Sequence, residues 1–315
     1  MNVPFHPFQF GVNTTSASSR EAWIGTAQKA ESLGFHSLLV ADHLGNQLGP
    51  TAALVAAAAA TTTLRVGSFV FGNDFRHPVY LAQEAATIDL LSGGRFELGL
   101  GTGWMRSDYD VSGIPFDPPG TRVSRLIEAV QIIKGFFAES PFSFTGQYYS
   151  VRNLDGRPKP AQKPHPPLML GGGSQRILSL AAREADIVSV NLKTTAQGTL
   201  DFSSSTAEAA AQKIAWVRRA AGERFGDLIL NLLVPIVVVT EKQQEAARQV
   251  LRRYHSPDDD ASVQELLESP SALIGTVDQI VEQLQERRER FGFSYIVVFE
   301  PMEQFAPVVE RLAGA

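Results

Sequence analysis

The chain of 315 residues contains no cysteine. This absence excludes disulfide bonds, a catalytic thiolate and cysteine-ligated metals, although it does not reveal the redox compartment. Histidine is sparse as well, and its six positions form neither an H-x-H nor an H-E-x-x-H pattern. We therefore expect no metal site, which disfavours a metal-dependent hydrolase. The nucleophile elbow G-x-S-x-G of the α/β-hydrolases is also missing.

Long hydrophobic runs and an excess of basic residues are missing too. The longest apolar run, residues 52–60, is too short to span a bilayer. The N-terminal segment has no basic region followed by an apolar one, so we expect no secretory signal and a cytoplasmic protein. The net charge is −5, so we expect neither nucleic acid nor a membrane surface as a partner.

Short apolar segments alternate with helical patterns from one end of the chain to the other. We predict eight strands, at residues 8–12, 37–41, 64–71, 95–101, 167–170, 186–190, 228–239 and 294–300. Repeated strand–helix units imply a parallel sheet, and eight of them over this length predict a closed (β/α)8 TIM barrel. Residues 1–315 then form a single domain, with insertions at about 102–122, 140–166, 191–205 and 255–275.

Polar and small residues follow the predicted strands at their C-terminal ends, where the active site of a parallel barrel lies. These residues are Asn13, Asp42, His43, Thr102, Gly103, Trp104, Gly171, Gly172, Gly173, Ser174, Asn191 and Lys193. Because all strand ends meet at one mouth, this pattern predicts a pocket with a few placed polar groups, suited to a small-molecule substrate.

Residues 95–119 carry the clearest sign of such a pocket. An alternating apolar strand runs into Gly101-Thr102-Gly103 and then into a polar and aromatic segment from Trp104 to Tyr109. Glycines allow a flat ligand to approach the backbone closely. An ordinary strand–helix loop is the alternative interpretation of this segment alone.

Asp42 and His43 are the candidate catalytic pair after the second strand. A histidine can hydrogen-bond to a ligand ring or transfer a proton near neutral pH. The alternative is an aspartate that caps a helix beside a solvent-facing histidine.

The segment Gly171-Gly172-Gly173-Ser174 precedes a predicted helix. Free N–H groups at a helix start attract an anion, and Ser174 can cap the helix or donate to a phosphate. The segment matches neither the Walker loop nor the dinucleotide fingerprint, and a plain tight turn is the alternative. Arg176 and Lys193 are close in barrel order, which favours a phosphate site.

Four segments resemble the luciferase-like monooxygenase family: VADH at 40–43, HPVYLAQEAATIDLLSGGRFELGLGTGW at 77–104, PPLMLGGG at 166–173 and LIGTVDQIVEQL at 273–284. The run GTGWMRSDYDVSGIPFDPPG is most similar to the branch that uses the deazaflavin coenzyme F420. The resemblance implies a (β/α)8 barrel with insertions, and a homodimer.

The resemblance also implies a cofactor site, with a flavin or deazaflavin ring across the strand mouth. Asp42 and His43 would lie against the ring, and the turn after strand four, Thr102 and Gly103, would form one wall. Cofactor phosphate would lie on Gly172, Gly173 and Ser174, with Lys193 as a loosely matched cation. The family has a non-prolyl cis peptide in the third strand, which we place at Ser68–Phe69, where its backbone would support the ring.

Trp104 departs from the family pattern. Some F420-dependent dehydrogenases have a glutamate proton donor at this position, so the tryptophan argues against sugar-phosphate dehydrogenase activity. We predict that Trp104, with Asn13 and Tyr109, contacts substrate. The alternative is that Trp104 is a core aromatic under the insertion.

The sequence is compatible with three functions. The first is an F420-dependent oxidoreductase that transfers a hydride between deazaflavin and a small organic substrate, assisted by His43. The second is an FMN-dependent monooxygenase that works with a flavin reductase. The third is a non-catalytic flavin-binding protein.

Overall fold

The computed structural model describes residues 5–254 and 256–315. Its strands in this part of the chain, in order, are Gln9–Asn13 (β1), Ser37–Val40 (β2), Arg65–Ser68 (β3), Phe71–Gly72 (β4), Phe96–Gly101 (β5), Phe142–Thr145 (β6), Ser150–Leu154 (β7), Leu168–Gly172 (β8), Ile187–Val190 (β9), Lys193–Thr194 (β10), Leu200–Asp201 (β11), Ile229–Val234 (β12), Ile236–Val239 (β13), Ala272–Gly275 (β14) and Phe293–Phe299 (β15). Its α-helices are Arg20–Ser32 (α1), Pro50–Ala59 (α2), Pro78–Leu91 (α3), Arg106–Ser112 (α4), Pro119–Phe137 (α5), Gln175–Glu184 (α6), Ala207–Ala221 (α7), Gln243–Arg253 (α8), Asp260–Glu268 (α9), Val277–Phe291 (α10) and Ala306–Leu312 (α11).

Eight parallel positions form a closed barrel. Its order is β1, β2, β3 with β4, β5, β8, β9, β12 and β15. The ring is closed because the last strand, β15, pairs with the first, β1, and because β3 pairs with β5. The predicted TIM barrel is therefore confirmed.

The barrel strands are apolar along their whole length because both of their faces are covered. All six residues of β5 and all four residues of β2 are buried. Outside the strands, helices present an apolar stripe inward; on α3 this stripe contains the buried Leu81, Ala85 and Ile88. This arrangement holds the strand ends in place around one mouth.

Two predicted strands are divided in the structure. The seventh, at 228–239, consists of β12 in the barrel and β13, which pairs in parallel with β14 outside it. Pro235 lies between the two and has no N–H to continue the ladder, so the chain leaves the barrel there. The third, at 64–71, is interrupted between β3 and β4 by the non-prolyl cis bond Phe69–Val70.

The four segments predicted as insertions contain short elements of their own. Residues 102–122 contain α4 and the start of α5, residues 140–166 contain the antiparallel hairpin β6–β7, and residues 191–205 contain the hairpin β10–β11. Residues 256–275 contain α9 and β14, whereas His255 lies outside the described residues. In the described part of the chain, no helix is both long and apolar enough to cross a membrane.

Candidate active site

A cavity of about 960 Å³ opens at the C-terminal ends of the barrel strands. Its wall contains most of the residues that the sequence predicted for the site: Asn13, Asp42, His43, Phe69, Thr102, Gly103, Trp104, Gly172, Gly173 and Ser174. The remaining predicted residues, Ser68, Tyr109 and Lys193, are not in the wall. The barrel topology thus brings together residues far apart in sequence.

His43 is held by a carboxylate from another part of the chain. Its Nδ1 lies 2.6 Å from Oδ2 of Asp108 on α4, and Oδ1 of the same carboxylate accepts the N–H of Leu44 at 3.1 Å. Asp108 is only 3% exposed, so both contacts are shielded from water. Within the described residues, Nε2 of His43 has no protein partner. The carboxylate therefore orients the ring and leaves Nε2 for a ligand in the cavity.

Trp104 lies against this histidine. The two rings meet edge to face, with centroids 5.6 Å apart, and both rings contribute to the cavity wall. The indole is partly exposed, so the structure places it at the cavity rather than in the core beneath the insertion. Its contact with substrate stays a prediction.

Asp42 is paired with arginine and not with His43. Its Oδ2 lies 2.5 Å from Nη1 of Arg76 and accepts the N–H of Gly72 at 3.0 Å, while Oδ1 accepts Nη2 of Arg76 at 3.2 Å. The ion pair with Arg76 is bidentate, and together with the Gly72 contact it holds β4 against the end of β2. Asp42 borders the cavity, and its partners indicate that it shapes the backbone there.

The cis peptide lies one residue later than we predicted. It joins Phe69 to Val70, not Ser68 to Phe69. Ser68 still belongs to β3: its Oγ donates to the carbonyl of Gly99 and accepts the N–H of Gly99, each at 2.9 Å. These side-chain contacts hold Ser68 of β3 against β5 inside the barrel wall. Phe69 and Val70 consequently line the cavity, whereas Ser68 does not.

Tyr109 is packed behind the cavity instead of lining it. The residue is 1% exposed, and the single proton of its hydroxyl has two acceptors within reach, Oδ2 of Asp74 at 3.1 Å and the carbonyl of Thr102 at 3.2 Å. Burial, followed by the charge of Asp74, raises the pKa of the Tyr109 hydroxyl above its usual range. Gly103, at φ 71°, leaves room for this hydroxyl, since a Cβ there would lie 2.0 Å from it. Tyr109 thus positions the turn at the end of β5 from behind, and the substrate contact expected for it finds no support here.

The glycine turn after β8 forms another part of the wall. A Cβ on Gly173 would lie 2.4 Å from the backbone of Leu192 and Lys193, and a Cβ on Gly172 would lie 2.7 Å from Ile177. The turn can therefore pack this closely only with glycine. Ser174 is the N-cap residue of α6, yet its side chain makes no capping hydrogen bond. The first N–H groups of α6 are consequently available to an acceptor in the cavity.

The basic residues expected near this turn have other partners. The ammonium of Lys193 lies 5.8 Å from the ring centre of Trp216, and the Arg176 guanidinium binds the carbonyl of Gly120 and the hydroxyl of Ser124. Among the described residues, the cavity wall instead contains the cations Arg122 on α5 and Lys213 on α7, and Lys213 is 3% exposed. It donates to the carbonyls of Asn191 at 2.9 Å and Ser204 at 2.7 Å. Burial, followed by the charge of Lys193, lowers the pKa of Lys213 to about 8.

Two amide oxygens in the wall fit a heterocyclic cofactor. Oδ1 of Asn13 and Oε1 of Gln47 are buried, and neither has a hydrogen-bond partner among the described residues. Buried acceptors without partners are costly, and the N–H groups of a flavin or deazaflavin ring can satisfy them. The glycine turn and the open end of α6 suit its phosphate. Among the described residues, no group of three metal-binding side chains occurs.

Sequence reasoning missed the partners of the predicted residues. Asp108 lies 65 positions from His43, and Arg76 lies 34 positions from Asp42. The polar segment after β5 already contained Asp108, but nothing in the sequence indicated which strand end it faces. Lys213 belongs to a regular amphipathic helix, where a lysine normally faces solvent.

The comparisons with known proteins agree with this geometry. The profile of the luciferase-like monooxygenase family matches residues 3–295. The chain is 32% identical over 128 residues to an FMNH2-dependent dimethylsulfone monooxygenase of Pseudomonas putida, covering 41% of this chain and 35% of that protein. It is 30% identical over 189 residues to an F420-dependent glucose-6-phosphate dehydrogenase of Microbacterium testaceum, covering 57% of this chain and 55% of that protein. The match thus spans about half, or less, of either relative.

Solved structures share the fold over almost the whole chain. The coenzyme F420-dependent tetrahydromethanopterin reductase from Methanopyrus kandleri superposes with a TM-score of 0.76 at 18% identity, covering 96% of this chain and 97% of that chain. The long-chain alkane monooxygenase LadA also reaches a TM-score of 0.76, at 16% identity, covering 98% and 91%. At such identities the likeness concerns the fold alone. With the family profile matching from residue 3 to residue 295, the chain belongs to the luciferase-like monooxygenase family.

Proposed function

We propose that the protein is a coenzyme F420-dependent oxidoreductase that transfers a hydride between the deazaflavin and a small organic substrate. The observation that carries this proposal is His43, whose Nδ1 is bound by the buried Asp108 while Nε2 is free at the cavity. The bound deazaflavin would supply the hydride chemistry. The F420-dependent relative and the F420-like segment after β5 support this choice of cofactor.

The chain's own residues would position the cofactor and handle a proton. The oxygens of Asn13 and Gln47 would accept from the ring, the backbone at Phe69 and Val70 would border it, and the turn at Gly173 would leave space for phosphate. His43 holds a hydrogen bond or a proton at Nε2, oriented by Asp108. Trp104 packs edge to face against the histidine at the cavity wall.

Binding and turnover measurements test this proposal. Purified protein is titrated with F420 and with FMN by fluorescence, and the deazaflavin absorbance is then followed with panels of alcohols, aldehydes and ketones. We expect tight binding of F420 and a substrate-dependent absorbance change. Tight FMN binding without any affinity for F420 would overturn the proposal.

An FMN-dependent monooxygenase that works with a flavin reductase is the second candidate. The 32% identity to the FMNH2-dependent monooxygenase favours it. Oxygen uptake with reduced FMN, dependent on an organic substrate, is its specific signature. A non-catalytic flavin-binding protein would show no turnover that His43→Ala and Trp104→Ala reduce.

The homodimer expected from the resemblance remains part of the proposal. Light scattering coupled to size-exclusion chromatography tests it, since a single-chain mass at micromolar concentration would contradict it.

A further inference from the structure

Lys213 is a buried cation without an acidic partner. It is 3% exposed on α7 and belongs to the cavity wall. In residues 5–254 and 256–315, no carboxylate oxygen forms an ion pair with its ammonium within 4.0 Å. Burying an ammonium is expensive unless hydrogen bonds and an opposite charge compensate. Its location therefore requires an explanation that packing alone does not supply.

The hydrogen bonds of Lys213 compensate only in part. Its ammonium has three N–H donors, and the protein carbonyls of Asn191 and Ser204 accept two of them. The charge itself remains, and neighbouring Lys193 adds a second positive charge that opposes it, while Asp201 acts in the favourable direction. One N–H donor of the ammonium therefore has no protein acceptor in the described residues.

The surroundings of Lys213 are those of an oxyanion site. Asn191, which accepts from Lys213, donates its own N–H to the carbonyl of Gly172 at 3.0 Å. Asn191 thus links Lys213 to Gly172 in the glycine turn, which leads into the N-terminus of α6. Ser205 and Thr206 also belong to the cavity wall. Ammonium, helix N–H groups and hydroxyls are the donors that bind phosphate and related oxyanions.

We propose that Lys213 forms an oxyanion subsite at this end of the cavity, where it binds a phosphate-type group. The group comes either from the cofactor or from an anionic substrate, and both present the same chemistry. The subsite rests on the proposed function only for the identity of its occupant, because the unpaired cation exists without any cofactor. The role that resemblance assigned to Lys193 passes to Lys213, since Lys193 is exposed and faces Trp216.

Ligand pairs with and without the phosphate group test the proposal. FMN is compared with riboflavin, and F420 with its phosphate-free deazaflavin core, on the wild type and on Lys213→Met. A charged hydrogen bond of this kind is worth about a 10- to 100-fold preference for the phosphorylated form. We expect Lys213→Met to remove most of this preference while riboflavin binds as before. Lys29→Met removes the same charge from an exposed lysine outside the cavity wall and serves as the matched control, with less than about a threefold change expected.

Inorganic phosphate distinguishes the two sources of the anion. If Lys213→Met leaves the FMN preference unchanged but abolishes binding of inorganic phosphate to the cofactor-loaded protein, the subsite serves the substrate. If neither the preference nor phosphate binding changes, the proposal is overturned. Unchanged phosphate binding in Lys213→Met would leave the proposed F420-dependent activity untouched. Conversely, a wild-type protein without affinity for F420 would overturn the proposed function but not the oxyanion subsite. Should Lys213→Met not fold, Lys213→Gln retains a donor to one carbonyl and is measured in the same way.

Discussion

His43 and Lys213 are basic side chains of the cavity wall, and they differ in the groups that compensate their charge. In the His43 corner, formed by His43, Trp104 and Asp108, the imidazole has a buried carboxylate of its own at 2.6 Å. In the Lys213 corner, formed by Lys213, Asn191 and Ser204, the ammonium has two carbonyls and no carboxylate in the described residues.

This difference separates two tasks. A base that carries its own acid partner is oriented before any ligand arrives, so its free atom can act on one. A buried cation that has no carboxylate partner in the described residues can instead bind an anionic ligand.

The largest effect is expected for His43→Ala. Removing the imidazole removes Nε2 from the cavity, and general acid–base assistance is typically worth about 10²- to 10⁴-fold in turnover. Steady-state rates with the best substrate of the panel measure it, and His77→Asn, at the exposed cap of α3, is the control. Unchanged turnover in His43→Ala would refute the assignment of the His43 corner.

Asp108→Asn should have the next largest effect. An amide can donate to Nδ1 and so invert the tautomer, which places the proton on the wrong nitrogen. We expect kcat to fall by roughly 10- to 100-fold, with a changed pH profile and nearly unchanged KM. Asp110→Asn, on the same helix but exposed and paired with Arg106, is the matched control. A loss that appears only in thermal stability would show that Asp108 is merely structural.

Affinity for phosphorylated ligands should depend on pH through the Lys213 corner. The pKa of Lys213 is lowered to about 8, so the ammonium is present below that pH and is lost above it. The preference for FMN over riboflavin should therefore fall by about tenfold between pH 7 and pH 9. Binding titrations at both pH values measure it, with Lys193 and Asp201 as the nearby charges to control by substitution. A preference that is level across this range would contradict the role of the ammonium.

The smallest effect concerns stability of the ligand-free protein. Because the pKa of Lys213 is lower in the folded chain than the usual 10.5, the unfolded chain binds more protons between about pH 8 and pH 10.5. Stability should therefore rise with pH there, by about 1 kcal/mol from pH 7.5 to pH 9. Chemical denaturation of the wild type and Lys213→Met compares the two slopes. Parallel curves would show that the lysine is not desolvated.

Much of this architecture was already determined by the amino-acid sequence. Apolar segments such as 96–101 can be stable only as strands covered on both faces, and their repeated alternation with helices dictates a parallel barrel. The polar residues after those segments, His43 and Ser174 among them, had to meet at one mouth because parallel strands end on one side. Pro235 similarly ends a barrel strand in any context, although its effect was seen only in the fold.

The partners across the cavity were decided only by the tertiary structure. Whether His43 meets Asp42 or Asp108, and whether Lys193 or Lys213 enters the wall, depends on how the helices of the insertions turn, and on contacts 22 to 65 positions apart. Local sequence patterns do not report contacts over such separations. The energy that selects these partners comes from burial and charge, which act only once the barrel has formed.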